Sequence, residues 1–440
     1  MKIGKISAVC FIVSMLYACA PHKAKSSTTT KTDLTKTAMN ELAPNDAFLT
    51  DLLKSYPQYF DSLLNDPQYG IQIIYTEIDR DENNSARFTD HYFNVNPRQY
   101  FYPASTVKLP IALLALQKLN ELKIAGLDKN TTMITESAYS GQTTLYNDPL
   151  SADGRPAIAQ YIKKILLVSD NDAFNRLYEF LGQEYINNNL HKMGYDDAQI
   201  IHRLNIFLTE DQNRHTNPVR FYSQNAAHDT ESRVIYEKPL ENSQLVYAER
   251  NDKKGKGYYS GDQLMNGPFD FSKKNRLSLA DLHLILRSVF FPDEMNRKQR
   301  FKLTNEDYKF LYKYMSMFPG ESKFPPYDST YQDAYARFLL WGEGKEKQPG
   351  NIRIFHKSGD AYGFLTDVAY IIDFDNKVEF MLSCTIHCNR DGIYNDDQYD
   401  YETIGLPFMK HLGEVIYNHE LKRERKQKAD LSSLRFDYTE

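Results

Sequence analysis

Strand-like sequence gathers at the two ends of this 440-residue chain and is scarce between them. "YGIQIIYTEIDRD" (residues 69–81) is dense in β-branched and aromatic residues. "HYFNVNP" (91–97) follows it across the polar stretch "RDENNSARFTD". The same character returns in "NIRIFHKSG" (351–359), "LTDVAYIIDF" (365–374) and "KVEFMLSCTIH" (377–387), where Asp375-Asn376 marks a hairpin turn. Strands must pair to satisfy their backbones, so the two distant blocks are expected to meet in one sheet. Between them, residues 157–194, 276–291, 304–317 and 329–341 carry helical periodicity. Helices also flank the strands, over 45–66, with Asn45 or Asp46 as cap, and over 404–424. The expected fold class is therefore α+β: a five-stranded antiparallel sheet flanked by N- and C-terminal helices, with an inserted all-helical lobe.

Composition narrows the functional classes. A formal net charge of -5, without basic blocks, gives no footprint for nucleic acid. At the N-terminus, Lys2 and Lys5 precede the apolar run "ISAVCFIVSMLYA" (6–18), which is too short to span a bilayer and has the form of a secretory signal. Residues 16–19, "LYAC", resemble a bacterial lipoprotein box. That resemblance implies removal of 1–18, lipidation of Cys19, a membrane anchor there, and residence in the cell envelope on the periplasmic side. Residues 19–44 read as a flexible tether, 45–420 as the folded domain, and 421–440 as a charged C-terminal tail. Cys384 and Cys388 in "FMLSCTIHC" lie four apart on a strand, too far for a mutual disulfide. With His387 they hint at zinc, but no second ligand pair follows, so they read as structural and no metal or cofactor is expected.

The segment "QYFYPASTVKLPIALLAL" (99–116) raises the question of chemistry. Ser105 and Lys108 are three residues apart at the mouth of an apolar helix, so hydroxyl and ammonium lie on one face. A serine at a helix start is ordinarily a cap. A lysine heading into apolar sequence is desolvated, however, which depresses its pKa and suits it to deprotonate a neighbouring hydroxyl. Two further clusters complete what acyl transfer requires. "SDNDAFNRL" supplies Ser169, Asp170 and Asn171 at a helix start, and "FHKSGDAYG" supplies Lys357, Ser358, Gly359 and Asp360 at a strand end.

S-x-x-K, S-D-N and K-S-G in this order resemble the class A β-lactamases and the wider β-lactamase and penicillin-binding protein superfamily. "FYPASTVKLPIA", the S-D-N-x-A-x-N-x-L continuation and "TDVAYI" extend the likeness. The resemblance implies Ser105 as nucleophile and Lys108 as base. It implies Ser169 as proton donor to the leaving nitrogen, held by Lys357, and Asn171 on Lys108 and the substrate amide. Lys357 and Ser358 would bind a substrate carboxylate, with the backbone N–H groups of Ser105 and Asp360 as oxyanion hole. The substrate would be a β-lactam or a peptidoglycan peptide.

Two departures qualify it. The family's deacylating glutamate follows an R-L pair within E-x-x-L-N. In "HRLNIFLTEDQNRHTNP" (202–218), Leu208 takes that place and Glu210 comes two residues late, either displaced into the site or a surface acid. Residues 219–274 form a polar, aromatic insertion with Gly-rich turns, readable as surface hairpins or as a wall or lid of the site. Three functions stay open. The first is a β-lactam-opening serine acyl-hydrolase, the second a D-Ala-D-Ala peptidase or transpeptidase, and the third a cell-wall ligand-binding lipoprotein without turnover.

Overall fold

The computed structural model describes residues 45–223 and 233–439. The signal, Cys19 and the tether lie outside the described residues. Asp46 caps helix α1 (Ala47–Lys54) by accepting from the Leu49 amide at 3.0 Å. Pro57 starts α2 (Pro57–Leu64), because proline suits a first turn and not a helix interior. Strand β1 (Gln72–Arg80) then pairs with β2 (Ala86–Phe93). This second strand begins earlier than its apolar residues indicate. Only 81–85 turn the chain, with the Asp81 carboxylate accepting from the Asn83 and Ser85 amides.

The nucleophile helix α3 (Lys108–Leu122) is followed by a short strand β3 (Thr132–Thr135) and helices α4 (Ile158–Val168), α5 (Asn171–Leu181) and α6 (Gln183–Lys192). The helical region over 157–194 is thus three helices. Ser169 breaks it in the left-handed region at φ 58°, and Asp170 restarts it by accepting from the Ala173 amide at 2.7 Å. The lobe is not all-helical. Strands β4 (Val219–Tyr222) and β5 (Val234–Lys238) join β3 in a three-stranded sheet, since Val219 and Phe221 alternate inward as a strand requires.

Helices α7 (Leu279–Phe290) and α8 (Asn305–Ser316) lead back to β6 (Ile352–Ala361), β7 (Phe364–Asp373) and β8 (Val378–His387), and α9 (Leu406–Lys422) closes the chain. The main sheet has five antiparallel strands in the order β6-β7-β8-β1-β2. All ten residues of β7 are buried, so both its faces are covered. One face packs against α1, α2 and α9 through Leu49, Phe60, Phe408 and Leu412, and the other against α7 and the lobe. Strand β6 lies at the sheet edge, and its end is the part that meets the nucleophile turn.

Two expectations need correction, and one open reading is decided. Residues 329–341 form turns and no helix. Ala336 and Leu340 have φ of 58° and 73°, and the buried Asp367 carboxylate accepts from the Phe338 and Leu339 amides at 3.2 and 3.1 Å. The buried Arg337 guanidinium donates to the carbonyls of Asp333 (3.0 Å) and Met317 (2.7 Å). Side chains have taken the partners that helical hydrogen bonds would use. Residues 423–439 are not a free tail. Leu431 and Leu434 are buried, and the Tyr438 hydroxyl bonds the Ser316 hydroxyl at 2.8 Å. The insertion forms hairpins, but none of its described residues lines the cleft. Gly257–Ser260 pairs in parallel with Ile393–Tyr394, and Phe271 packs its ring 5.4 Å from that of Tyr362. It braces the cleft walls from behind.

Candidate active site

Tyr100, Phe101 and Tyr102 are buried and anchor the approach to a 3-10 turn, Ala104–Val107. Ala104 enters it at φ 45°, a left-handed conformation that costs an alanine on the order of 1 kcal/mol. The Thr106 amide (3.0 Å) and hydroxyl (2.5 Å) both bond the Pro103 carbonyl and hold the turn. Ser105 thereby faces the cleft half-buried, and Lys108 beneath it is fully buried.

The Lys108 ammonium nitrogen lies 2.7 Å from Ser105 Oγ, 2.5 Å from the Ser169 carbonyl, 2.7 Å from Asn171 Oδ1 and 3.2 Å from Ser169 Oγ. Two of these partners, the Ser169 carbonyl and Asn171 Oδ1, can only accept. A neutral amine has two N–H groups and one lone pair. Donating to those two acceptors leaves the lone pair free to receive the Ser105 proton. Burial, and secondarily the Lys357 charge, holds the Lys108 amine well below its usual range, with Asp170 and Asp360 opposing.

Lys357 donates to Ser169 Oγ at 3.0 Å and to the Ser358 carbonyl at 2.8 Å. Burial lowers its pKa to about 8, against the raising effect of Asp367 and Asp360. Ser105, Lys108, Ser169 and Lys357 form one chain of hydrogen-bonding atoms, brought together from α3, the α4–α5 corner and β6.

Gly359 explains how β6 comes so near. A Cβ there would lie 2.5 Å from the Ser105 amide nitrogen, 2.8 Å from that of Thr106 and 3.0 Å from the Pro103 carbonyl. All three atoms are backbone and cannot swing aside. Gly359→Ala is expected to push strand and turn apart. The cost would be about 1–3 kcal/mol of stability and a fall in Ser105 acylation on the order of 10²-fold. Thermal unfolding and acylation rates check this, and an alanine variant acylated as fast as wild type contradicts it.

Ser358 lines the cleft, but its hydroxyl donates to the Ala336 carbonyl at 2.5 Å and so is not free for a substrate carboxylate as expected. Asp360 presents an exposed side chain to the cleft. The cleft walls around it still keep water from part of its carboxyl and raise its pKa, while Lys357 and Lys108 lower it.

Glu210 is outside the cleft. It starts the short helix Glu210–Arg214 and pairs at the surface with Lys273 (2.7 Å) and Arg214 (3.2 Å). The Lys273 hydrogen bond holds its carboxyl below the usual range, the opposite of what a deacylation base near neutrality needs. What this loop brings to the cleft is Leu204 and Asn205. Asn175 holds them there, accepting from the Leu204 amide (2.9 Å) and donating to its carbonyl (3.0 Å).

The cleft, about 580 Å³, has walls the motifs did not foretell. Tyr335 and Glu343 come from the turns after α8, and Asp397, Tyr399 and Tyr401 from the segment after β8. Burial raises the Glu343 pKa to about 7. No local spacing signals these residues, since irregular loops carry them. Cys384 and Cys388 are buried and free, and among the described residues no His/Cys/Asp/Glu group could hold a metal ion.

Residues 63–247 match the family model described as the beta-lactamase enzyme family. That part of the chain is similar to the beta-lactamase enzyme family. The match takes in Ser105, Lys108 and the S-D-N cluster, and Lys357–Gly359 lies beyond it. Similar solved structures include PBP-A, at 16% identity and TM-score 0.45, covering 87% of this chain and 100% of that one. A mutant of PBP-A, described as an acyl-enzyme complex with penicillin-G, is at 15% and 0.45, covering 85% and 98%. A beta-lactamase from Sphaerobacter thermophilus DSM 20745 is at 11% and 0.43, covering 86% and 98%. No curated protein matches the chain.

Proposed function

We propose that this β-lactamase-like protein is a serine acyl-hydrolase of the class A type that opens a β-lactam amide through an acyl-enzyme on Ser105. Lys108 carries the reading. It is buried, held below its usual pKa, and has two acceptor-only partners that leave its lone pair for the serine. In this account neutral Lys108 takes the Ser105 proton as Oγ attacks the carbonyl carbon. The Ser105 and Asp360 amides face the developing oxyanion. Collapse breaks the C–N bond, and Ser169 gives its proton to the leaving nitrogen. The chain from Lys108 to Lys357 then returns a proton to Ser169. An acyl-enzyme remains on Ser105 with Lys108 restored to neutrality by the proton it passed on.

Deacylation is where the site falls short. No carboxylate of the 203–214 loop lines the cleft, so no base from that loop activates the attacking water. The same observation favours a second reading, a peptidase or transpeptidase acting on peptidoglycan peptides. Following nitrocefin opening over many turnovers tests the proposal. A burst of one equivalent and then slow release is expected, unchanged within about twofold in Glu210→Gln, a surface substitution. Absence of any burst contradicts an acyl-enzyme. Rapid steady-state turnover lost in Glu210→Gln contradicts the assignment of Glu210 to the surface.

A further inference from the structure

Apart from the cleft, a second cavity of about 60 Å³ lies at the end of the main sheet where β1 and β7 begin and β8 ends. It shares no lining residue with the cleft. Gln72 pairs with Thr385 and Phe364 with His387 in the sheet register. Thr385 and His387 are two apart, so these four side chains stand on one face of the sheet. The Phe364 and His387 rings stack with centroids 4.3 Å apart, and the Lys254 ammonium lies 6.0 Å from the Phe364 centroid. Lys254 comes from the 219–274 insertion, where it pairs with Phe269 in a two-stranded ribbon.

The groups at this cavity are donors without acceptors. Gln72 is 1% exposed, and its Oε1 accepts from the Asn96 amide at 3.0 Å, which leaves Nε2 as the donating end. Among the described residues that Nε2 has no hydrogen-bond partner, and the half-buried Lys254 ammonium has neither a hydrogen bond nor an ion pair. Asp252, whose charge acts on Lys254, is committed to Arg276 at 3.0 Å. His387 adds no charge. Its ring shares a hydrogen bond with the Tyr394 hydroxyl at 3.2 Å, and burial, then the Lys254 charge, lowers its pKa to about 4. No aspartate or glutamate is among the described residues that line the cavity.

A buried amide donor and a partly desolvated ammonium are both costly to leave unpaired. Water would satisfy the amide and leave the charge. An oxyanion answers both. The volume gives room for roughly four water-sized groups at about 10–15 Å³ each, the scale of a phosphate or sulfate.

We propose that this cavity binds a small oxyanion of the phosphate or sulfate class, held by Lys254 and the Gln72 amide, and that the ion ties the 219–274 insertion to the main sheet.

Inorganic phosphate and phenyl phosphate test it, by calorimetry and thermal melting of the folded chain at neutral pH, with sodium chloride holding ionic strength constant. Phosphate is expected to bind saturably with a Kd of about 1 mM or tighter, and to raise Tm over the same concentrations. Lys254→Met should weaken binding about tenfold or more through loss of the charge. Gln72→Glu keeps an acceptor for the Asn96 amide but sets a carboxylate against the ion, and should weaken it at least as much. Lys273→Met, at an exposed lysine outside the cavity, should change it by less than about twofold. Binding of phosphate alone identifies a free ion, and equal binding of phenyl phosphate identifies a phosphate group carried on a larger molecule. Absence of saturable phosphate binding to wild type below about 10 mM, or equal binding in wild type, Lys254→Met and Gln72→Glu, overturns the proposal.

Discussion

Ser105→Ala is expected to abolish covalent labelling by a fluorescent penicillin while leaving the protein folded. The Ser105 hydroxyl has one side-chain partner, Lys108, and that amine keeps its contacts with Ser169 and Asn171 when the hydroxyl is gone. The loss to stability is that of a single half-buried hydrogen bond, about 0.5–1.5 kcal/mol. The loss to chemistry is complete, because among the described residues no other hydroxyl lining the cleft lies so close to a depressed lysine. Ser169 is the nearest rival, but its oxygen bonds Lys357 and sits farther from Lys108, at 3.2 Å against 2.7 Å for Ser105. Gel fluorescence and a thermal melt decide the matter together. A folded alanine variant that still labels would place the nucleophile elsewhere.

Lys108→Ala should slow acylation by about 10²–10⁴-fold, the usual contribution of a positioned general base. The pH profile supplies a second readout. A base works in its neutral form, and the folded protein holds Lys108 well below the ordinary 10.5, so the rate should climb as pH rises through that depressed value and then level off. The alanine variant should lose this rising limb with the rate. Stability is also affected. The buried amine fills the space between α3 and the α4–α5 corner, and its removal leaves the Ser169 carbonyl and Asn171 Oδ1 without a donor, at about 1–3 kcal/mol for each group left buried and unpaired. Lys108→Met would fill much of that space without supplying the base. If it acylates as slowly as alanine, the loss is of proton transfer. Wild-type acylation in either variant would reduce Lys108 to packing.

The main sheet was legible because its signals are local. The strands β6, β7 and β8 are continuous β-branched and aromatic runs separated by Gly363 and by the turn at Asp375-Asn376, and they pair in sequence order. The reactive groups were legible for the same reason: each cluster is a short motif on one element's end. What failed depends on partners far along the chain. A helix over 329–341 is sound by periodicity and loses to Asp367 and Arg337, whose buried groups claim its amides and neighbouring carbonyls. The small sheet β3-β4-β5 joins segments some 85 residues apart, and β3 is too short to announce itself. The cleft walls at 335–343 and 395–401 belong to loops whose placement is set by what they pack on, including the brace from the 219–274 insertion. The reacting atoms are thus easier to read along the chain than the walls that select what reaches them.

The depressed Lys108 and the missing loop carboxylate point toward a serine that acylates readily and releases slowly. The most direct measurement is the mass and location of the adduct. Wild type is mixed separately with benzylpenicillin and its methyl ester, sampled from seconds to hours, and digested for peptide mapping. The account predicts one added equivalent of the opened β-lactam, confined to the peptide that bears Ser105, persisting long after it forms. An adduct on another residue, or none at any time with either compound, would contradict it.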